Sequence, residues 1–172
     1  IRCYRCGLYY DKRHVIKYFL CLFSGYIINK KDGHGYKLVY LAQTWQKARE
    51  LCASEGAKLA VPKSDEEFAY IQKLVRAMHY PSIIGSEYKL LVWLGVHNLN
   101  DHTVWENVDG KIQIIIYIPT YEDIGRTFSL SELLFMSKPH CGGVDAINPG
   151  FRDFWCHRRQ PYLCEIQIDL TE

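Results

Sequence analysis

Four cysteines constrain this chain more than any other feature. Cys141, Cys156 and Cys164 punctuate the terminal stretch CGGVDAINPGFRDFWCHRRQPYLC, spaced 15 and then 8 residues apart. Cys52 lies far upstream, on a stretch that reads as an amphipathic helix. Together they make a framework, and the functional question is what that framework presents to a partner. Seven cysteines in 172 residues point to an oxidising compartment, although the odd count leaves at least one without an internal partner.

The length suits a single domain with a sizeable core. At 48% hydrophobic and 23% charged residues the chain is globular rather than disordered. A net charge of +2 argues against nucleic acid, whose partners carry a strongly basic face. No apolar run reaches the roughly 20 residues of a membrane span. Val15 to Ile28 is apolar, follows Lys12, Arg13 and His14, and contains the small residues Ser24 and Gly25. Two readings stay open there, a remnant of a secretory signal and a structured first strand. Cys3 and Cys6, with His14 and Cys21, offer the ligand types of a zinc site. Their spacing matches no common finger, and the plainer reading is an unpaired or locally disulfide-bonded tail. Residues 1–24 are therefore set apart from a domain over 25–168.

Along that domain, Tyr36 to Leu41 reads as a strand. Thr44 then caps a helix bearing Trp45, Ala48, Leu51 and Cys52 on one stripe, ended by Gly56. Lys58 to Val61 is a short apolar link. Ser64 with Glu67 makes a capping box ahead of a second helix with Phe68, Ile71, Val75 and Met78 at helical spacing. Residues 79–89 read as a loop. Leu90 to Val96 (LLVWLGV) is too apolar for a one-sided strand and belongs in the centre of a sheet. Asp109-Gly110 marks a tight turn between Thr103–Glu106 and Lys111 onward. Residues 119–140 show no sustained period, the mark of a long functional or disordered excursion. Cys141–Val144, Phe151–Cys156 and Tyr162–Ile168 read as short terminal strands. Helices first and an antiparallel sheet later give an α+β class.

The order of these elements, with these cysteines, resembles the C-type lectin-like domain over about residues 25–168. TWQKARELC, GAKLAVPKSDEE, WLGV, VWENVDG and the terminal cysteine trio carry the resemblance together. The proportions are most similar to insect haemolymph lectins of the lipopolysaccharide-binding type. The resemblance implies two helices, short antiparallel sheets, a long irregular loop, and disulfides Cys52–Cys164 and Cys141–Cys156. On a chain-entropy estimate the first would contribute about 4–5 kcal/mol and the second about 3 kcal/mol. Cys3, Cys6 and Cys21 remain unassigned.

In sugar-binding members of that family, calcium bridges protein oxygens and vicinal sugar hydroxyls, which requires six to eight oxygen ligands at about 2.3–2.6 Å. The resemblance places one group of ligands at Phe151-Arg152-Asp153 and another at Ser131-Glu132-Leu133. Asp153 and Glu132 are thus the candidate calcium ligands, with Glu122 and Asp123 nearby in the same loop. Arg152 stands where the family has asparagine, and a guanidinium has no acceptor to offer a cation. Ser131-Glu132-Leu133 lacks the proline that favours a cis bond. Both departures argue against a family-type calcium site. The plainer role for Asp153 is a strand-end acid paired with a neighbouring arginine. Asn148, a further candidate contact, sits in the turn signal Asn148-Pro149-Gly150.

A calcium-free site is suggested by Arg152, His157, Arg158 and Arg159 around Cys156, since guanidinium groups pair with phosphates and carboxylates. Phe151, Phe154, Trp155 and Tyr162 interleave with them and could stack on sugar faces; the plainer reading is a solvated hairpin tip. Trp93, Trp105 and Trp155 are expected in the core. His140-Cys141 sets a thiol beside an imidazole, but no phosphate loop, HExxH or GxSxG accompanies it. The expected protein is a secreted, non-enzymatic recognition domain for microbial glycans or lipopolysaccharide, a pattern-recognition role in innate immunity. The alternative is a lectin-like domain that binds protein instead of sugar.

Overall fold

The computed structural model describes residues 25–86, 91–112, 140–147 and 150–168. The candidates Glu122, Asp123, Glu132 and Asn148 lie outside these, as do Cys3, Cys6, His14 and Cys21. The described elements run β1 (Ile27–Asn29), β2 (His34–Gln43), α1 (Trp45–Ser54), β3 (Lys58–Leu59) and α2 (Asp65–Arg76). After a 3-10 turn at Tyr80–Ser82 come β4 (Val92–His97), β5 (Glu106–Asn107), β6 (His140–Val144), β7 (Arg152–Trp155) and β8 (Gln160–Gln167).

Local chemistry sets the helix ends. Thr44 Oγ1 accepts the Lys47 N–H at 3.3 Å and starts α1. Gly56, at φ +73°, stops it, with the N–H groups of Gly56 and Ala57 donating to the Ala53 and Cys52 carbonyls at 3.0 Å each. The left-handed backbone there suits glycine. Ser64 Oγ accepts the Glu67 N–H at 3.2 Å. The other half of the expected capping box differs: the Glu67 carboxylate accepts from the Lys63 N–H at 2.6 Å, one residue before the cap. Asp65, Glu66 and Glu67 in the first turn of α2, and Lys73 and Arg76 in the last, complement its dipole.

The eight described strands form one sheet in the order β1-β2-β8-β4-β6-β7, with β3 added to β8 and β5 to β4. Pairing is antiparallel except where β4 and β8 meet in parallel at Trp93 and Tyr162. The fold class is α+β as read from the sequence, but the sheet is mixed because the last strand inserts between β2 and β4. β4 is buried along its whole length. Val92 and Leu94 join a cluster with Ile71 and Val75 of α2, Tyr36 and Leu163. Leu91 and Trp93 join another with Trp45, Ala48 and Cys52 of α1, Tyr162 and Cys164. Alternation along β4 and β8 thus feeds both faces of the sheet, which is why LLVWLGV shows no polar face. Trp45 Nε1 donates to the Leu94 carbonyl at 2.7 Å, tying α1 to this central strand.

Cys52 is bonded to Cys164, Cα atoms 5.5 Å apart, and Cys141 to Cys156 at 5.0 Å. The first fastens α1 to β8 and the second fastens the β6–β7 ribbon, as the resemblance implies. Some expectations need correction. The strand expected at Thr103–Glu106 is only Glu106–Asn107, because Asp101 and Thr103 turn the chain, the Thr103 N–H and hydroxyl both donating to Asp101 at 2.8 and 2.7 Å. Trp93 is fully buried, whereas Trp105 and Trp155 are half-buried, near the sheet's end rather than in its core.

Candidate ligand-binding site on the terminal hairpin

β6 and β7 form a ribbon in which Arg152 faces Gly143, Asp153 faces Gly142, Phe154 faces Cys141 and Trp155 faces His140. Side chains on such a ribbon alternate between its faces and reach diagonal neighbours. On one face, His140 Nδ1 donates to Asp153 Oδ2 at 2.8 Å. On the other, Arg152 Nη1 donates to Asp145 Oδ2 at 2.9 Å. Arg152 and Asp153, adjacent in sequence, therefore serve opposite faces. The expectation that an arginine would pair with Asp153 is corrected: its hydrogen-bonded partner is His140, because the diagonal on its own face leads there.

Both carboxylates are held firmly. Asp145 is nearly buried and also accepts the Ile147 N–H at 2.8 Å. Asp153 is half-buried, and the hydrogen bond from His140 holds its carboxyl below the ordinary value. Burial opposes that effect, and the charges of His140 and Arg152 add to it. His140 is itself fixed, its N–H donating to Asn98 Oδ1 at 2.7 Å, while Asn98 Nδ2 donates to the His102 carbonyl at 2.9 Å.

The aromatic and basic residues gather at the same end. The Trp155 ring meets Phe154 at 5.0 Å and stands edge-on to His140 at 6.2 Å. The chain turns at once after β7, the Arg158 N–H donating to the Trp155 carbonyl at 2.9 Å. That turn exposes His157 and Arg159 and leaves Arg158 half-buried. Of the expected aromatic platform, Phe151 turns away, stacking on Phe68 of α2 at 4.7 Å, and Tyr162 is buried. A thiol nucleophile at His140-Cys141 is removed by the disulfide to Cys156. His97 is buried edge-on against Trp45 and accepts the Leu99 N–H through Nδ1. Burial pushes its pKa down.

The roles of Asp145 and His140 were not found from the sequence. The available signal was the diagonal rule itself: once the 141–156 bridge fixes the ribbon, residues 140 and 153 share one face and 145 and 152 the other.

Two helices, one mixed sheet, a bridge from the first helix to the last strand and a second bridge across the terminal ribbon define a C-type lectin scaffold. The Lectin C-type domain matches residues 41–166, and the chain belongs to that family. It is 23% identical over 144 residues, 84% of its length, to the hemolymph lipopolysaccharide-binding protein of Periplaneta americana, and covers 53% of that protein. To the secretory phospholipase A2 receptor of Mus musculus it is 21% identical over 128 residues, 74% of the chain and 7% of the receptor. The chain thus spans about half the length of the first relative and a small part of the second. Among solved structures, it is similar to the carbohydrate-recognition domain of mouse scavenger receptor C-type lectin. The TM-score is 0.59 at 15% identity, covering 86% of this chain and 98% of that one.

Proposed function

We propose that this is a secreted recognition domain that binds anionic microbial glycans, lipopolysaccharide among them, without a family-type calcium ion. It acts by binding rather than by catalysis, in innate immune recognition. The observation that carries the calcium-free part is the pairing on the terminal ribbon: Asp153 is engaged by His140 at 2.8 Å and Asp145 by Arg152 at 2.9 Å. A calcium ion would have to displace protein donors that already compensate both carboxylates, and the Arg152 guanidinium would repel it. Glu132, the other candidate ligand, lacks the adjoining proline. The similarity to a lipopolysaccharide-binding protein supports the ligand class. The exposed His157 and Arg159 and the half-buried Arg158 and Trp155 supply the chemistry. Guanidinium groups bind phosphate and carboxylate oxygens, and an indole covers the apolar face of a sugar ring. Arg152 keeps further donors of its fork beside the one given to Asp145.

Direct binding of lipopolysaccharide to the immobilised protein tests this reading. Affinity should fall steeply with salt, and R159E should weaken it about tenfold, a loss of one charge-assisted contact. Binding unchanged by salt and by R159E would contradict the basic site. A second reading, protein recognition by the same scaffold, is favoured by the exposed Ile147 on the β6–β7 connection, 88% accessible. Failure to bind any glycan, with calcium or without, would move the weight to it.

A further inference from the structure

Resting on the anionic-glycan reading above, we propose that Leu41 and Ile84, beside the basic turn at residues 157–159, form a subsite for the acyl chains of a phosphorylated glycolipid, so that lipopolysaccharide is held by its lipid end. Leu41 is 52% exposed and Ile84 65%. Single exposed apolar side chains are ordinary on a protein surface. These two are bridge partners on parallel segments, so they stand side by side on one face. The Ala42 N–H donates to the Ile84 carbonyl at 2.8 Å and the Ile84 N–H to the Tyr40 carbonyl at 3.1 Å, which fixes the pair. Their neighbours Ala42 and Ile83 are buried, and the alternation of extended chain turns Leu41 and Ile84 to solvent.

The same end of β2 carries positive charge. Gln43, two residues and about 7 Å along the strand from Leu41, pairs with Gln160, which Arg159 precedes. From the other segment, Gly85 bends the chain after Ile84, and the Ser86 hydroxyl donates to the Arg159 carbonyl at 2.9 Å. Two short links, one through each segment, thus tie the apolar pair to the basic turn. His157 and Arg159 are exposed, and neither is in an ion pair among the described residues. The half-buried Trp155 belongs to the same turn, its carbonyl accepting the Arg158 N–H at 2.9 Å. Phosphate oxygens suit a guanidinium, an indole suits a sugar face, and hydrocarbon suits leucine and isoleucine. All three chemistries are joined in an acylated, phosphorylated sugar. A plain polysaccharide would leave the apolar pair in water, and a neutral apolar partner would leave the Arg159 charge unpaired.

The test compares intact lipopolysaccharide with its deacylated form, which keeps the phosphates, on the immobilised full chain without calcium. Wild type should bind the intact form more tightly. L41S/I84S should weaken intact lipopolysaccharide about tenfold, the share of two half-exposed apolar side chains, and leave the deacylated form unchanged. L41M/I84M, which keeps the apolar surface, should bind as wild type does, and circular dichroism establishes the folding of each variant. R159E should weaken both forms. L41S/I84S binding intact lipopolysaccharide as wild type does, with R159E still weakened, overturns the acyl subsite and leaves the anionic-glycan reading standing. A loss in L41S/I84S alone, with R159E unaffected on both forms, supports the acyl subsite and contradicts the basic site. Binding of neither form overturns both. Phosphatidylglycerol vesicles bound as tightly as lipopolysaccharide overturn the assignment to a glycolipid.

Discussion

Replacing Arg152 by methionine keeps the aliphatic stem and removes the donor that faces Asp145. The Asp145 side chain is 4% exposed and that of Arg152 39%, so the penalty is unequal between the partners. Were Asp145 removed instead, the guanidinium would regain water at little cost, its charge being worth no more than that of an exposed pair, under about 1 kcal/mol. Asp145 does not regain water. It keeps its other contacts, the Ile147 N–H among them, and loses a charge-assisted bond, which leaves a buried carboxylate under-compensated by about 1–3 kcal/mol. R152M should therefore cost about 2 kcal/mol in urea unfolding at neutral pH, with an unchanged denaturant slope. D145N, which retains an oxygen for Ile147, should cost less. The double variant should cost less than the two singles combined, with a coupling of about 1–2 kcal/mol. An R152M protein within about 0.5 kcal/mol of wild type, or strictly additive singles, would refute the claim that Arg152 is the counter-ion of a buried acid.

Other consequences follow from the same structure. Cys52–Cys164 closes a separation of 112 residues and Cys141–Cys156 one of 15. Paired replacement by alanine should thus cost about 5 and about 3 kcal/mol, and equal or reversed losses in denaturation would contradict the loop-entropy account. Alanine at Gly95 would set its Cβ 2.7 Å from the Leu59 carbonyl oxygen and 2.8 Å from Val61. G95A should cost about 1–3 kcal/mol or more by overpacking, read as a lowered melting midpoint. Asp153 and His97 both have depressed pKa values in the folded state, the first chiefly through its hydrogen bond from His140 and the second through burial. In the range between each folded value and the ordinary one, the unfolded chain binds the extra proton. Stability from His97 is therefore present above about pH 6.5 and lost below it, and stability from Asp153 is present above about pH 4 and lost below it. In urea titrations across pH, replacing His97 by a neutral residue should remove the first loss and leave the second.

Much of the scaffold was legible because its signals are local. Thr44, Gly56 and Ser64 announce helix ends by their own backbone chemistry, and the unbroken apolar run of β4 can only be buried on both faces. Gly95 within WLGV looks like an ordinary strand glycine until β3 is seen pressing its backbone against it. The site was harder to read because it is made of diagonal partners. Nothing adjacent to Asp153 in sequence points to His140, 13 residues earlier, and adjacency to Arg152 points the wrong way, since neighbours on a strand face apart. The parallel contact of β4 with β8 was missed for a related reason, since a single chain-end insertion leaves no local mark.

The central claim is that protein donors, not calcium, satisfy the acids of the terminal ribbon while ligand binding proceeds beside them. It is tested most directly by measuring lipopolysaccharide affinity of the metal-free protein with and without added calcium. The account predicts the same affinity in both, with a common decline as salt rises. Affinity that appears only with calcium, and disappears in D153N, would contradict it.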